Sequence, residues 1–504
     1  MATTHDYGEQ EHQLLSVELD EDESEEYPDS GSSNTLLAEE MALQPHAPTK
    51  SGSEMLTLTI GLAGLQSAYC SQFANGTDFL LGIGISPALI ASVWIIPPLC
   101  GAVLQPLFGI LSDALRTRVG RREPLVLLGA VGLLCALLVQ AWGPAIANSL
   151  DASCDGSWPA CPAKIIVSIF AVVLLYTSAQ AVQVATRAKM VDECHVGQQL
   201  DVNTWASRVI SLTSVFYYIL SYGLQPLRGI ELRMKELALI SAILVVATVT
   251  IACAAGFQAP PAYRAPRTLP AKHLLERVSY YQQVKETVTT RMSKILVVQF
   301  LSSFAWFPYL FYISRYITEK NHDGGKIVER LGPLALFLQS VVHLITSVIL
   351  PFFVSHTVEK STLTTVSINI PKLDPVRLWR LSLAIYSACV AGIVLTDSTI
   401  LMLALAALTG FCWAVTLIVP YTLLTDEFML RNDGEHRRST RSGVFLGINN
   451  LAITVPQIIA GLICTTIFST VSEKHTNSLS NGMTISLSAG SVVSLLATVV
   501  SFCI

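Results

Sequence analysis

The chain has 504 residues, of which 51% are hydrophobic and only 14% charged, with a formal net charge of −5. A soluble protein carries about 25% charged residues, so this composition excludes an ordinary water-soluble globule, and the sparse, acidic charge gives no basis for a nucleic-acid partner. The eleven cysteines are odd in number and mostly lie inside apolar runs, where a thiol packs as a small hydrophobe; they are not a disulfide framework.

In chain order, the first fifty residues come first. They carry 13 acids against a single lysine, Lys50, so the rest of the chain is net positive. "ELDEDESEEYPDS" has too little apolar mass to fold, and no apolar h-region follows Met1. Residues 1–52 are expected to form an acidic, disordered cytoplasmic tail.

Apolar runs follow, each near the ~20 residues a helix needs to cross a bilayer. Twelve helices are predicted near 55–80, 87–111, 124–146, 164–187, 202–224, 237–257, 295–317, 333–354, 380–396, 400–424, 442–468 and 484–504. The alternation of barrel strands is absent, and backbone groups in lipid must be satisfied within the segment. The fold class is therefore an all-α polytopic membrane protein, a multi-pass chain in a lipid bilayer. A break over 258–294, "APPAYRAPRTLPAKHLLERVSYYQQVKE", separates a six-helix half over 53–257 from a second over 295–504. Arg116, Arg118, Arg121 and Arg122 follow helix two, and the linker is also rich in Lys and Arg. The positive-inside rule then places these loops and both termini in the cytoplasm. The plasma membrane is the favoured location, with the vacuolar membrane as the alternative.

Smaller signals fall along the way. Asn75-Gly76-Thr77 fits the glycosylation sequon, though its place at a helix end argues against a glycan. Cys154 and Cys161 share a polar loop assigned to the oxidising exterior and are candidates for a disulfide. Helix four leaves the membrane through Asp192-Glu193 and helix ten through Asp426-Glu427, matching places in two halves that suggest an internal duplication. Histidines are scattered without metal-ligand spacing, and no nucleophile elbow or P-loop occurs. No metal, cofactor or enzymatic activity is expected, and the protein is read as a monomer.

Polar residues recur on single helix faces. Helix four carries Tyr176, Gln180, Gln183 and Arg187 in one narrow stripe. Helix five carries Asn203, Ser207, Ser211, Ser214, Tyr218 and Ser221; its serines read first as helix–helix contacts. Helix one offers Gln66, Tyr69 and Gln72, helix seven Gln299, Ser303 and Trp306, and helix eleven Asn450, Thr454 and Gln457. An unpaired amide in lipid costs roughly 2–7 kcal/mol, so these stripes face an aqueous cavity or one another. An intramembrane arginine is functional by default, although Arg187 and Arg208 both lie close enough to the cytoplasmic end to snorkel. Amides, a forked cation and aromatic faces suit a neutral polyhydroxylated ligand.

Six plus six helices with a long middle loop is the layout of major facilitator transporters, which bind substrate between their halves. "GILSDALRTRVGRREP", Gly109 to Pro124, resembles the helix 2–3 signature of the sucrose and α-glucoside carriers of plants, fungi and animals, a branch of that superfamily. "AGLQ", "NGTDFLLGIG", "QPLFGILSD", "VQVATRAKMVD", "WFPYLFY", "WAVTLIVPY" and "GVFLGINNLAITVPQII" extend the resemblance over most of the chain, in order. The resemblance implies a secondary transporter that moves sucrose or another α-glucoside by alternating access. It implies that Arg187 occupies the branch's important helix-four arginine position, and that Gly109, Asp113, Arg118, Gly120, Arg121 and Arg122 form a cytoplasmic gate.

Departures from the branch concern acids. Gln72, Tyr176, Ile313 and Arg315 stand where relatives carry carboxylates, and Glu123 interrupts the gate's basic run. Asp78, Asp192, Asp426 and His343 are the remaining candidates for a coupling proton. Proton symport and facilitated diffusion both stay open, as do export of a specialised metabolite and a non-transporting sensor. The membrane, the direction of transport and the substrate are not readable from the sequence.

Overall fold

A computed structural model describes residues 49–115, 117, 120–151, 161–194, 198–224, 229–257, 288–321, 330–353, 373–431, 435–472 and 478–504, with the side chains at 113–114, 255–257, 429–431, 435–444, 446, 472 and 478–479 outside the description. The acidic tail, most of the central linker, Cys154 and Arg118 therefore lie outside the described residues, as does the side chain of Asp113.

The described chain is helical in twelve successive passages, α1 to α12. The first, α1, is built in pieces: Gly52–Thr59, Gly61–Ser71, a π-helical turn Gln72–Gly76, and Thr77–Gly82. The second, α2, joins Pro87–Val93 to Ile96–Ala114. Then come α3 Glu123–Leu150, α4 Pro162–Glu193, α5 Gln199–Leu224 and α6 Ile230–Phe257. The later helices are α7 Thr290–Lys320, α8 Leu331–Phe353, α9 Pro375–Leu395, α10 Thr399–Arg431, α11 Glu435–Ser472 and α12 Ser478–Val500.

Local chemistry sets the helix ends. Ser51 and Glu54 form a capping box at the start of α1, the Ser51 amide donating to the Glu54 carboxylate at 2.8 Å, which satisfies two amides that a helix start leaves open. Thr289 and Asp374 cap α7 and α9 through their side-chain oxygens. The helices also run past the apolar stretches. α4 continues to Glu193 because its polar last turns are held by ion pairs, and α11 begins at Glu435, seven residues ahead of its apolar run.

Among the described residues, ten helices are long and apolar enough to cross a membrane. The two outside that set are α1, which is broken by its π-helical turn, and α5, whose Asn, Ser and Thr residues lower its hydropathy. Leu128, Phe170, Ile243, Ile345, Leu462 and Val492 are each more than half exposed. Such outward apolar surface suits lipid, since a soluble monomer rarely exposes large continuous apolar patches.

The first six and last six helices meet along two seams, α2 against α11 and α5 against α8. Gly101 makes the first seam close, since a Cβ there would lie 2.6 Å from the Thr454 methyl. The Asn450 amide donates to the Gly101 carbonyl at 2.7 Å. In the second seam Ser207 and His343 share a 2.9 Å hydrogen bond, and Arg208 donates to the Ser347 carbonyl at 3.3 Å. Arg208 also lies 5.1 Å above the Trp205 ring, so it is tied into the bundle rather than snorkelling.

Candidate functional site

Between the seams lies a cavity of about 310 Å³, lined from α1, α2, α4, α5, α7, α8, α10 and α11. The α4 stripe enters it complete: Tyr176, Gln180, Gln183 and Arg187 all face the space. Gln66, Trp306, Asn450 and Gln457 line it too, with Gln299, Ser303 and Thr454.

Two expected lining residues lie elsewhere. Gln72 is buried and exchanges hydrogen bonds with Gln140 of α3 at 2.8 and 3.0 Å; six residues past Gln66, it sits about 120° round the helix from the face that Gln66 turns to the space. Asn203 is also buried outside the lining; it donates to the Gln199 carbonyl at 2.8 Å and accepts from Arg187 Nη1 at 3.3 Å. It positions the arginine instead of meeting the cavity. Most α5 hydroxyls are likewise structural, as with Ser211 bonded to the Ser207 carbonyl and Ser221 to Asn75. The sequon asparagine Asn75 is fully buried with its amide on Ser221 at 3.0 Å, an environment with no room for a glycan. Cys161 caps α4 and is disulfide-bonded, while Cys154 is outside the described residues.

The cavity also contains residues that single-helix reading missed. Gln105 donates to Gln180, Tyr69 donates to Gln183 at 3.1 Å, and Gln66 donates to Ser214 at 3.0 Å. Gln339, Trp413, Tyr421 and Asn449 complete the polar and aromatic lining. Gln339 lies four residues before His343, a spacing that would have placed both on one face of α8. The hydroxyls of Tyr176 and Tyr421 and the Gln299 carbonyl are buried without a protein partner.

Arg187 is the only charged side chain among the described lining residues. Its guanidinium lies 4.8 Å from the centre of the Tyr421 ring on α10, across the two halves. Among the described residues no carboxylate pairs with it. A lone forked donor, seven glutamines, two asparagines and the Trp306–Trp413 pair at 4.7 Å make a cavity rich in hydrogen-bonding groups and flat apolar faces. That combination holds hydroxyls and stacks on C–H surfaces while offering little to a multiply charged solute.

At one end of the bundle the α2–α3 turn is held by charge. Gly120 adopts φ +138°, a left-handed backbone that favours glycine, and exchanges backbone hydrogen bonds with Thr117; a Cβ there would also press on the carboxylate end of the Glu123 side chain. Arg122 is buried, with Nη2 and Nε on Asp192 at 2.7 and 3.0 Å and Nη1 on Ser112 at 2.8 Å. Glu123, the departure from the basic run, accepts from Lys189 at 2.9 Å, and Lys50 reaches Glu193 at 3.3 Å. Arg121 is half-buried beside Arg122, and Gly109 is buried within α2.

At the opposite end the halves close on each other. Phe311 of α7 stacks on Trp94 with ring centres 4.8 Å apart and meets Phe73 edge-on at 5.5 Å. Thr77 donates to the Phe311 carbonyl at 3.3 Å. Beyond this layer Arg315 bridges Asp78 at 3.2 Å and Glu319 at 2.6 Å. The arginine that replaces an expected acid thus pairs with one of the four candidate proton carriers, across the two halves.

The model of the Major Facilitator Superfamily matches residues 56–460. The chain is 24% identical over 525 residues to the general alpha-glucoside permease of Schizosaccharomyces pombe, covering 89% of this chain and 93% of that one. It is 24% identical over 451 residues to the sucrose transport protein SUT2 of Oryza sativa subsp. japonica, covering 79% and 83%. Its fold is similar to that of a bacterial homologue of the iron transporter ferroportin in an outward-facing state, with a TM-score of 0.55 and 15% identity over 89% of this chain and 98% of that one. With its twelve helical passages, its central cavity and a family match over most of its length, the chain belongs to the Major Facilitator Superfamily.

Proposed function

We propose that this carrier moves a neutral sugar, sucrose or another α-glucoside, across a membrane by alternating access. The observation that carries the reading is Arg187, set among the described residues without a counter-charge in a cavity otherwise lined by uncharged groups, amides and aromatic rings among them, between the two halves. Relatives named as α-glucoside and sucrose carriers support the same substrate class. In this account Arg187 forks onto sugar hydroxyls, Asn203 fixes its orientation, and Gln66, Gln180, Gln183, Asn450 and Gln457 share the remaining hydroxyls. Trp306 supplies a stacking face.

The α2–α3 turn with Gly109, Asp113, Arg118, Gly120, Arg121 and Arg122 lies on the cytoplasmic side, as the positive-inside rule requires. The Trp94–Phe311 layer and the Asp78–Arg315 pair then form the outer closure. Rocking of one six-helix half against the other opens one closure while the other holds. A coupling proton and a plasma-membrane location belong to the same reading.

The test is uptake of labelled sucrose, maltose and trehalose into proteoliposomes, with and without an inward proton gradient. Saturable uptake of at least one sugar is expected. A complete absence of movement for all three would overturn the reading. A second reading, a carrier of a different neutral metabolite, is favoured by Tyr176 and its stacking partner Tyr69 at 5.8 Å, which make one cavity wall aromatic. Competition of the uptake by aromatic glycosides, tighter than by sucrose, would select it.

A further inference from the structure

The described cavity lining contains no carboxylate, yet a carboxylate of unusual setting lies just beneath it. Asp201 sits in the first turn of α5 and is fully buried, 0% exposed. Neither of its carboxylate oxygens has a hydrogen-bond partner. One turn further on, Thr204 Oγ1 and Trp205 Nε1 are buried and equally unpartnered. An ionised carboxylate in such a place is costly, because burial strips it of water and no hydrogen bond among the described residues replaces it. Binding a proton removes the charge and with it most of that cost.

Its ionisable surroundings do not neutralise it. On its own helix the nearest charge is Arg208, two turns on, whose Nε is committed to the Ser347 carbonyl. The α4–α5 turn and the start of α1 bring Cys194, Glu193, Lys50 and Glu54 as one mutually interacting group, in which Lys50 is paired with Glu193. The nearby end of α8, Ile345–Phe353, has no ionisable residue. The end of α10 brings Asp426 and Glu427, which lie beside Arg291.

The same turn of α5 reaches the cavity. Asn203, two residues along, bonds to the Gln199 carbonyl on one side and to Arg187 on the other. A change of charge at Asp201 therefore acts on the turn that positions the cavity's single cation.

We propose that Asp201 is a proton-binding site of this carrier, standing in for the membrane acids replaced at Gln72, Tyr176, Ile313 and Arg315, and linked to the cavity through Asn203 and Arg187. The inference deepens the sugar-carrier reading and rests on it for the linkage. Asp201 lies in the first turn of α5, beside the charged groups of the α4–α5 turn, and burial pushes its carboxyl up to about 6 against the pull of the Arg208 guanidinium. Such a group passes from mostly protonated at pH 5 to mostly charged at pH 7, a change of about tenfold in the protonated fraction.

Two measurements test the proposal with the full chain and D201N and D201E variants. Infrared difference spectra in detergent, taken from pH 4 to pH 8, should show a protonated carboxyl band that titrates near pH 6 and is missing from D201N. A wild-type difference spectrum that D201N reproduces would overturn the proton site, whatever the substrate proves to be. In proteoliposomes, wild-type sucrose or maltose uptake should change by about tenfold between pH 5 and pH 7, following that protonated fraction. The D201N response should fall below about twofold, and D201E should restore it. Full pH dependence in D201N would overturn the linkage. Absence of sugar uptake by the wild type would overturn the sugar-carrier reading and the linkage with it, while the infrared titration still decides the proton site.

Discussion

The two ends of the bundle are tied by charge in different ways. At the α2–α3 end, Arg122, Asp192, Glu123, Lys189, Glu193 and Lys50 join pieces of the first six helices, and the Arg122 side chain is only 4% exposed. At the other end Asp78 meets Arg315 across the halves, with Arg315 30% exposed. A network inside one rigid half can stay intact through a transport cycle and can be buried and strong. A bridge across the halves has to break in every cycle, and partial exposure keeps it weak enough to do so. The described bonds thus separate a structural brace from a releasable latch, although both are made of the same residue types.

That contrast can be broken by mutation, and the largest effect belongs to the brace. Arg122→Ala leaves the buried Ser112 hydroxyl and the part-buried Asp192 carboxylate without this donor and should cost about 1–3 kcal/mol, as leaving a buried hydrogen-bonding group unsatisfied does. Thermal unfolding in detergent will show it, and an unfolding temperature equal to wild type would mean that the pair is not a brace. A smaller loss is expected at the turn itself. Gly120→Ala places a Cβ against Glu123 at positive φ, and should destabilise by more than about 1 kcal/mol, as incompatible backbone substitutions do. Equal stability would show that the turn relaxes freely.

The smallest stability change is expected at the latch. Arg315→Ala should alter unfolding by less than Arg122→Ala does, since its side chain is 30% exposed against 4%, while a cysteine placed at Ser314 becomes more reactive toward a membrane-impermeant thiol reagent from outside. Exchanging the charges, Asp78→Arg with Arg315→Asp, should return that reactivity toward wild type. If Arg315→Ala leaves it unchanged, the pair does not close the outer mouth.

Much of the architecture was legible because lipid imposes long apolar helices, and the α4 stripe was legible because its polar side chains share one helical face. The α1 reading failed at Gln72 because six residues past Gln66 carry a side chain about 120° round an α-helix, away from the face that lines the cavity. Asn203 was placed on the right helix and given the wrong role, since lining a cavity and orienting an arginine look alike in one helix. Gln105 and Tyr421 lay in quoted motifs and Gln339 in an apolar helix that drew no polar stripe, but their convergence depends on how eight helices rotate toward a common space. Asp201, just ahead of the apolar run of helix five, drew no reading from the sequence. Only its burial and its unpartnered oxygens distinguish it from a solvated acid.

The central claim is that Arg187 holds the sugar in the cavity. Its most direct measurement is equilibrium binding of labelled sucrose and maltose to purified wild type and Arg187→Ala, with thermal unfolding of both proteins as the fold control. The account predicts binding to the wild type that weakens by more than about tenfold in the variant, as loss of a charge-assisted hydrogen bond implies, at an unfolding temperature close to wild type. Undiminished binding in a folded Arg187→Ala protein would contradict it.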